Sequence, residues 1–503
     1  MADHMSPLDA VFLDLEDEEP EVSIATASIA VFEGPAPAKE EFLTAMGTRL
    51  RLMPRYRQKA RQVPFDLGSP VWVDDPAFDL TYHVRRVALA PPGDDPVLHE
   101  RIGDIMSQRL DRARPLWEYW VIEGLSGGRW ALLSKVHPCL ADGMSGTYPN
   151  QAIFDKSPAG GAEPPQDVWT PGPEPSTLSL AAGALRDLLL SPLEQARMIG
   201  RALAAPHATI RRVADTARGL IALTGALWPA NASTLTGPIS AYRRYAVARA
   251  SLTDVRKIAH RADVTVNDVA LSAISGGFRY LLLQRGEEPH ARAARSLVPV
   301  SGRARGEEGG YENRVSLMPA FLPVHVADPV ERLRVVHEHL AELKASRQAQ
   351  VEEAMAALAG HEPFLPISWG LRLAAHLPQR HIVTVTTNVR GPREPLYLLG
   401  RRVLEILPYV PIALRLRTGV SICTYGDQIT FGVTGDYDSA PEVEPFARTI
   451  ENELQALSLA CRPNPALAVV TPLRSKGARP RRVAKRPSTG TKAPLRPATT
   501  KPR

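Results

Sequence analysis

Strand-like and helix-like patterns of apolar and polar residues alternate in two long regions of this chain, roughly 5–155 and 240–460. In the first region, RWALLSKV (129–136) predicts a buried strand. In the second region, four further segments are strand-like: SLVPVS (296–301), HIVTVTTNV (381–389), TGVSICTY (418–425) and QITFGVTG (428–435). The pattern predicts an α/β protein with two halves of similar size and make-up.

The strongest helix is predicted over TVNDVALSAISGGFRYLL (265–282). Thr265 can cap its first turn, and Asp268, at the third helical position, completes a capping box. Apolar residues then recur at helical spacing along the segment. They predict a buried face made of Val269, Ala270, Ala273, Ile274, Phe278, Leu281 and Leu282.

Other segments differ in composition from the two halves. Residues 157–175 are rich in Pro, Gly and Glu, which predicts an exposed linker, and 178–228 show apolar stripes at helical spacing with arginines beside them. After Arg462 the chain is too rich in Pro, Lys, Arg and Thr to form a core. We therefore expect four segments: an N-terminal lobe (1–156), a linker with amphipathic helices (157–239), a C-terminal lobe (240–462) and a disordered basic tail (463–503).

Size and charge add two constraints. A chain of 503 residues is too long for one ordinary core, so two large domains or a bilobed fold is expected. The net charge of +6 is uneven, because Arg474–Arg503 contains 11 of the 60 Lys and Arg residues and no Asp or Glu. This leaves 49 basic residues of the 60 against 54 acidic ones, so the rest of the chain is mildly acidic.

The scattered cysteines and the lack of a recognisable signal peptide favour an intracellular protein. Cys139, Cys423 and Cys461 are scattered, without the spacing of a zinc site or a disulfide framework. The acidic N-terminus lacks the features of a signal peptide, and apolar stretches such as GLIALTGALW (219–228) are about half as long as a membrane span requires. We expect a cytoplasmic protein without a metal site, and attachment to a membrane surface stays open.

The segment KVHPCLADGMSG (135–146), which includes the end of the first predicted strand, has the outline of an acyl-transfer site. Acyl transfer from a thioester to an alcohol needs a base to take the hydroxyl proton, and histidine suits this role because its pKa lies near neutrality. The histidine here is His137, and Asp142 and Gly143 follow it on a tight turn. On its own, such a motif more often marks a strand end with a structural histidine than a catalytic site.

Seven sequence blocks together carry a resemblance to a known family. They are MSPLDAVFL (5–13), RARPLWEYWVIEGL (112–125), KVHPCLADGMSG (135–146), TVNDVAL (265–271), SLVPVSGR (296–303), ENRVSLMPAFLP (312–323) and TNVRGPREPLYLLG (387–400). In these blocks and their order, the chain resembles the bacterial wax ester synthase/acyl-CoA:diacylglycerol acyltransferase family over nearly all of residues 5–460. The third block stands where that family has its His-His-x-x-x-Asp-Gly motif.

The resemblance implies a fold similar to chloramphenicol acetyltransferase and to the condensation domains of peptide synthetases. Two related α/β lobes would face each other across a tunnel that admits acyl-CoA from one side and the acceptor from the other. The implied activity moves a long acyl chain from acyl-CoA to diacylglycerol, giving triacylglycerol, or to a fatty alcohol, giving a wax ester. Acyl-CoA is then a co-substrate, and no cofactor or metal ion is implied.

One position departs from the family's motif. The second histidine, which is the family's general base, is replaced by Pro138, and His137 matches the first, supporting histidine. Neighbouring side chains on an extended segment point to opposite faces, and proline holds the residue before it in extended backbone. His137 should therefore not take the place of the missing imidazole. We expect either weak acyl transfer or an inactive family member that binds acyl-CoA or neutral lipid in a regulatory or storage role; a more distant alternative is a tunnel-type acyltransferase that acts on amines.

Asn267, Asp268, Asn388 and Trp117 are further candidates, as residues that shape the tunnel. Each has a structural alternative: Asn267 and Asp268 as the start of a helix, Asn388 as a turn cap, and Trp117 as core packing. An arginine from elsewhere in the fold is expected to pair with Asp142. The amphipathic helices and the basic tail suggest peripheral contact with a membrane or a lipid droplet, and no specific nucleic-acid partner is expected.

Overall fold

The structure is a computed structural model, and it describes most of the two predicted lobes. The described residues are 3–19, 21–64, 68–143, 153–160, 169–183, 186, 233–291, 293–301, 315–358 and 382–461. For 7–8, 141–143, 299–301, 315–318 and 344–358 only the backbone is described. Contacts divide the chain into Met1–Cys461 and Arg462–Arg503. The second of these units, and nearly all of the predicted helical segment 178–228, lie outside the described residues.

Several of the described helices begin at a residue whose side chain caps the first turn. They are α1 (Pro7–Glu18), α2 (Lys39–Arg49), α3 (Leu80–His83), α4 (Asp95–Ser107), α5 (Leu252–Arg261), α6 (Val266–Gln284), α7 (Pro329–Leu358) and α8 (Val443–Ala460). The side chains of Ser6 and Asp94 accept backbone N–H groups in the first turns of α1 and α4, and a proline lies in the first turn of each. None of the helices in the described part of the chain is long and apolar enough to cross a membrane.

The described strands form two six-stranded sheets and one three-stranded sheet. The strands of the first half are β1 (Asp3–His4), β2 (Thr26–Phe32), β3 (Gln58–Arg61), β4 (Val71–Asp74), β5 (Val84–Ala88), β6 (Trp117–Leu125) and β7 (Arg129–Val136). Those of the second half are β8 (Arg243–Ser251), β9 (Arg295–Ser301), β10 (Val315–Phe321), β11 (Ile382–Arg390), β12 (Tyr397–Leu398), β13 (Arg401–Tyr409), β14 (Thr418–Tyr425) and β15 (Gln428–Asp436). The five predicted strands are therefore confirmed, with ends that differ by one residue at most.

Strand order shows that the two halves are not separate along the chain. The first large sheet has the order β12-β13-β2-β7-β6-β5, and the second has β10-β9-β11-β14-β15-β8. β13, from the second half, pairs antiparallel with β2, with Tyr409 opposite Ala27. The sequence assigned all of 240–462 to the C-terminal lobe, whereas this strand and β12 complete the N-terminal sheet. Apart from this exchange, the four segment boundaries stay predictions.

Each large sheet has its own hydrophobic core. Phe32, Trp117 and Trp130 are fully buried in the first, while Phe278 and Phe431 are fully buried in the second. The predicted buried face of α6 is confirmed at all of its positions, because every residue named for it is buried. The capping box is confirmed as well: the Thr265 hydroxyl accepts the N–H of Asp268 at 3.2 Å, and the Asp268 carboxylate accepts the N–H of Thr265 at 2.9 Å.

The two halves meet where α4 packs against β8. Gly103 in α4 comes so close that a Cβ added to it would lie 2.5 Å from the carbonyl oxygen of Arg243. Along the same strand, Arg249 pairs with Asp95 at 2.9 Å and with Glu405 of the exchanged strand at 2.8 Å. Close backbone packing and these charge pairs join the first half to the second at β8.

Candidate active site

The candidate motif begins where β7 ends. A 3-10 helix over Pro138–Gly143 follows the strand directly. His137, between them, donates its N–H to the carbonyl of Leu116 at 3.0 Å and accepts the N–H of Leu140 at 2.9 Å. Proline fits the first position of such a turn, because its missing N–H would find no helical partner there. The backbone of the motif is thus tied to the start of β6 on one side and closed on itself on the other.

The side chains at 137 and 138 differ sharply in exposure. His137 is 0% exposed, whereas the neighbouring Pro138 is partly exposed. Cys139, one position further on, is 2% exposed. The alternation agrees with the expectation that 137 and 138 face different surroundings at a strand end. Of these three positions, 138 is the one that solvent or a substrate can reach.

His137 is neutral near pH 7, and its proton-accepting nitrogen is already occupied. Burial, reinforced by the charges of Arg112 and Arg109, lowers the pKa of His137 to about 3. Burial also raises the pKa of the Cys139 thiol well above its usual range, so the sulfur keeps its proton. The thiol lies 2.8 Å from Nδ1 of His137, and the Cys139 N–H reaches the same nitrogen at 3.3 Å. Since Nδ1 accepts from both, the ring carries its proton on Nε2, and neither nitrogen is available as a base.

Asp142 and Gly143 lie in the last turn of the 3-10 helix. Only their backbone is described, so the expected pairing of Asp142 with an arginine falls outside what the structure describes and stays a prediction. The helix that carries them packs against α1 and against a second 3-10 helix, Pro54–Arg57.

Asn267 and Asn388 are brought together by the fold. The side-chain amide of Asn388, at the end of β11, donates to Oδ1 of Asn267, in the first turn of α6, at 3.0 Å. They are separated by 121 positions in sequence, so this contact ties a strand end to a helix start across the second half. Asn388 is exposed and Asn267 is partly exposed.

Asp268 and Trp117 are held by structural contacts. Asp268 is 1% exposed and, besides capping α6, its Oδ2 lies 2.8 Å from Nδ1 of His337 in α7. Trp117 is fully buried, donates its indole N–H to the carbonyl of Tyr56 at 2.8 Å and stacks on His83 with ring centroids 4.4 Å apart. The contacts of both residues match the structural alternatives, although a role in shaping a tunnel stays a prediction.

Sequence reasoning missed Glu16 of α1, which lies beside His137. Its Oε2 is 3.9 Å from Nε2 of the imidazole, and the side chain is 1% exposed. A signal was present in the sequence: Asp9, Leu13 and Glu16 recur at helical spacing, and all three are buried. A carboxylate on the buried stripe of a helix requires a buried partner, but the sequence does not indicate which one.

Across the residues with described placement, no group of three or more His, Cys, Asp and Glu side chains is arranged to hold a metal ion.

Comparison with known proteins gives consistent results along the chain. Residues 5–270 match the family model of the wax ester synthase/diacylglycerol acyltransferase catalytic domain, and residues 311–458 match that of the WS/DGAT C-terminal domain. A Mycobacterium tuberculosis (strain H37Rv) protein named "Probable diacyglycerol O-acyltransferase tgs1" is 43% identical over 455 residues, which cover 90% of this chain and 95% of that protein.

Solved structures agree with this result. The wax ester synthase/diacylglycerol acyltransferase from Marinobacter aquaeolei VT8 superposes with a TM-score of 0.62 at 25% identity, covering 91% of this chain and 99% of that one. The starter condensation domain of rhizomide synthetase, at 13% identity and a TM-score of 0.53, shares the fold over 92% of this chain and 94% of its own. The predicted fold class, an α/β fold of the CoA-dependent acyltransferase type with two lobes, is confirmed. The chain belongs to the wax ester synthase/diacylglycerol acyltransferase family.

Proposed function

We propose that this chain is an O-acyltransferase that moves a long acyl group from acyl-CoA to diacylglycerol or to a long-chain alcohol. The observation that carries the proposal is the family match over 5–270, within which the motif lies at the end of β7 with position 138 open and 137 buried. The M. tuberculosis relative is named for diacylglycerol, and the Marinobacter structure for both acceptors. These names support triacylglycerol and wax ester as the two candidate products.

The proposed reaction needs no cofactor, because the thioester of acyl-CoA is already an activated acyl donor. The acceptor hydroxyl oxygen attacks the thioester carbonyl carbon, and the C–S bond breaks. The hydroxyl proton leaves the acceptor through a base and ends on the sulfur of CoA. The protein's task is to hold the two substrates together and to move this proton.

We further propose that turnover is slow, because Pro138 stands at the position of the base and has no group that takes up a proton. His137 does not replace it, since the ring is buried and its Nδ1 already accepts from Cys139. A positioned base contributes about a hundredfold to ten-thousandfold in rate, whereas holding the substrates together contributes independently of it. The same observations support the alternative, an inactive member that binds acyl-CoA or neutral lipid in a regulatory or storage role.

Peripheral contact with a membrane or with lipid inclusions, on the cytoplasmic side, is part of the proposal. Both substrates carry long apolar chains, and Arg474–Arg503 has 11 basic residues with no acidic ones to oppose them. Basic segments of this kind are attracted to anionic lipid surfaces by about 1 kcal/mol per residue close to the surface.

The direct test compares the natural protein with Pro138→His and Pro138→Ala. Release of CoA would be followed with acyl-CoA donors of several chain lengths and with diacylglycerol, a long-chain alcohol or an amine as acceptor. We expect Pro138→His to raise kcat about tenfold or more with an alcohol acceptor, because it supplies the imidazole that takes the proton. Pro138→Ala, which removes the ring without adding a base, should give no such gain.

The possible results of this assay distinguish the functional hypotheses. Fast turnover by the natural protein with no gain from Pro138→His would show that another residue is the base, and the assignment of position 138 would be wrong. Tight binding of acyl-CoA without turnover in the natural protein would favour the inactive binding member. Turnover with amines but not with alcohols would favour the distant alternative.

A further inference from the structure

A cluster of ionisable side chains lies beside the motif, and the proposed reaction does not use it directly. Its members are Glu16 of α1, Arg109 and Arg112 beyond the end of α4, and His137. Glu16 and His137 are 1% and 0% exposed, and the two arginine side chains are 29% exposed. Burying a carboxylate costs several kcal/mol unless charges and hydrogen bonds compensate it, so this arrangement calls for an explanation.

Both oxygens of Glu16 have polar neighbours, but among the described residues only Oε1 makes a hydrogen bond. Oε1 accepts the backbone N–H of Ile24 at 3.2 Å. Oε2 lies 3.4 Å from Nε of Arg112 and 3.5 Å from Nη2 of Arg109. Glu16 is therefore a buried carboxyl group with one backbone hydrogen bond and two guanidinium groups within ion-pair distance.

The same Oε2 faces His137. Nε2 of the ring lies 3.9 Å away, and within the described residues this nitrogen has no hydrogen-bond partner. Because Nδ1 accepts from the thiol and the N–H of Cys139, the proton of the neutral ring is on Nε2, on the side of the carboxylate. At 3.9 Å the attraction between this N–H and the anion is electrostatic, since the distance exceeds that of a hydrogen bond.

We propose that Glu16 is a positioning residue for acyl transfer, acting through His137. The carboxylate and the Cys139 thiol hold the imidazole from opposite sides and so fix its tautomer and orientation. The backbone of His137, bonded to Leu116 and Leu140, then sets the first turn of the 3-10 helix, where position 138 is presented. A helix more than a hundred positions earlier in the chain thereby controls the geometry of the catalytic position. The inference rests on the proposed function only in so far as position 138 takes part in acyl transfer.

A matched control lies next to Glu16 on the same helix. Asp17 pairs with the same two arginines, at 2.9 Å from Arg112 and 3.5 Å from Arg109. Its side chain is 44% exposed, and no contact between it and His137 is present in the described structure. Glu16→Gln and Asp17→Asn therefore each remove one negative charge from the same arginines, but only Glu16→Gln alters the group that faces the imidazole.

The tautomer of His137 can be measured directly by NMR. Protein labelled with 15N-histidine would be examined by NMR, with the His137 signals assigned by their loss in His137→Gln. We expect the natural protein to show an unprotonated Nδ1 and a protonated Nε2 at pH 7, and Asp17→Asn to show the same pattern. Glu16→Gln should give a mixture of tautomers, and Glu16→Asp, which keeps the charge, should retain most of the natural pattern.

Activity gives a second readout, in protein that also carries Pro138→His. There we expect Glu16→Gln to lower kcat about tenfold with a smaller change in KM, and Asp17→Asn to leave kcat within about twofold. A natural His137 protonated on Nδ1, or Glu16→Gln and Asp17→Asn alike in both readouts, would overturn the proposal. Should Glu16→Gln fail to fold, the natural protein and Glu16→Asp still decide the tautomer. If Pro138→His gains no activity, the assignment of position 138 as the place of the base fails, while the NMR result stands separately.

Discussion

At the scale of single residues, environment decides what a histidine can do. His83 and His137 are both fully buried, and burial lowers their pKa values to about 4 and about 3. His83 lies between two aromatic rings, Phe78 at 5.3 Å and Trp117 at 4.4 Å, and its Nδ1 lies 2.8 Å from the Trp117 carbonyl, to which it donates. The imidazoles of His83 and His137 are both neutral in the folded protein, and neither gains a charge until the pH is well below neutrality.

This burial predicts a loss of stability in acid. Between pH 6.5 and about 4 an unfolded His83 takes up a proton, whereas the folded one does not, so the free energy of unfolding falls as the pH falls. His83→Phe, which keeps a ring between Phe78 and Trp117, should remove up to about 1.4 kcal/mol per pH unit from the slope in that window. Denaturant unfolding of both proteins at a series of pH values measures the slope. An unchanged slope would contradict a neutral buried His83, whatever the variant's absolute stability.

At the scale of elements, close approach of two backbones decides how the halves join. Gly103 lies in the middle of α4, where glycine is a poor helix former, yet its missing side chain lets the helix lie against the start of β8. The Ser107 hydroxyl, one turn later, accepts the N–H of Arg243 at 2.9 Å. Helix propensity disfavours glycine at position 103, whereas the close approach of α4 to β8 requires it. The short distance to the Arg243 carbonyl oxygen shows that packing is the stronger effect.

Gly103→Ala should destabilise the protein. The added Cβ would lie 2.5 Å from the carbonyl oxygen of Arg243, and a backbone atom cannot move aside as a flexible side chain can. We expect a net loss of about 1–3 kcal/mol from overpacking, despite the gain of about 1 kcal/mol in helix propensity. Gly47→Ala in α2 is the control, because its Cβ would meet only Leu80 Cδ2 at 3.8 Å and should stabilise by up to about 1 kcal/mol. Thermal unfolding compares the two, and equal Tm changes would refute the argument.

At the scale of the whole molecule, two features stand out: the exchange of β13 between the two sheets and the uneven distribution of charge along the chain. β13 leaves the second half of the chain to pair with β2, and Arg249 of β8 binds Glu405 on that strand, so the two sheets are connected through both backbone and charge. The excess positive charge is carried by the last thirty residues, outside the unit Met1–Cys461. The acyltransferase fold and the basic segment are therefore separable in an experiment.

The proposed membrane contact predicts that binding depends on this segment. A variant with the 11 Lys and Arg residues of Arg474–Arg503 changed to Gln keeps the chain length and removes the charge. In vesicle flotation we expect the natural protein to bind vesicles containing anionic phospholipid at low salt, and the variant to bind at least about tenfold more weakly. Zwitterionic vesicles should not distinguish the two proteins. Equal binding of anionic vesicles by both would rule out the charge of this segment as the cause.

Several local features of the fold, and the family, were correctly predicted from the amino-acid sequence. The spacing of apolar residues predicted β7, β14 and the buried face of α6, and the capping box at Thr265 followed from local hydrogen bonding, because such features depend on neighbours a few positions away. The ordered blocks identified the family. The replacement of the motif's second histidine by Pro138, on which the expectation of slow turnover depends, stays a prediction.

Contacts between residues that are distant in sequence became visible in the folded protein. The pairing of Asn267 with Asn388, of Asp268 with His337 and of Glu16 with His137 joins positions far apart in the chain. No periodicity specifies such partners, because they depend on how helices and strands pack after they form. For the same reason the exchange of β13 was not predicted: its residues are equally strand-like in either sheet, and the free energy of packing in the folded protein selects between them.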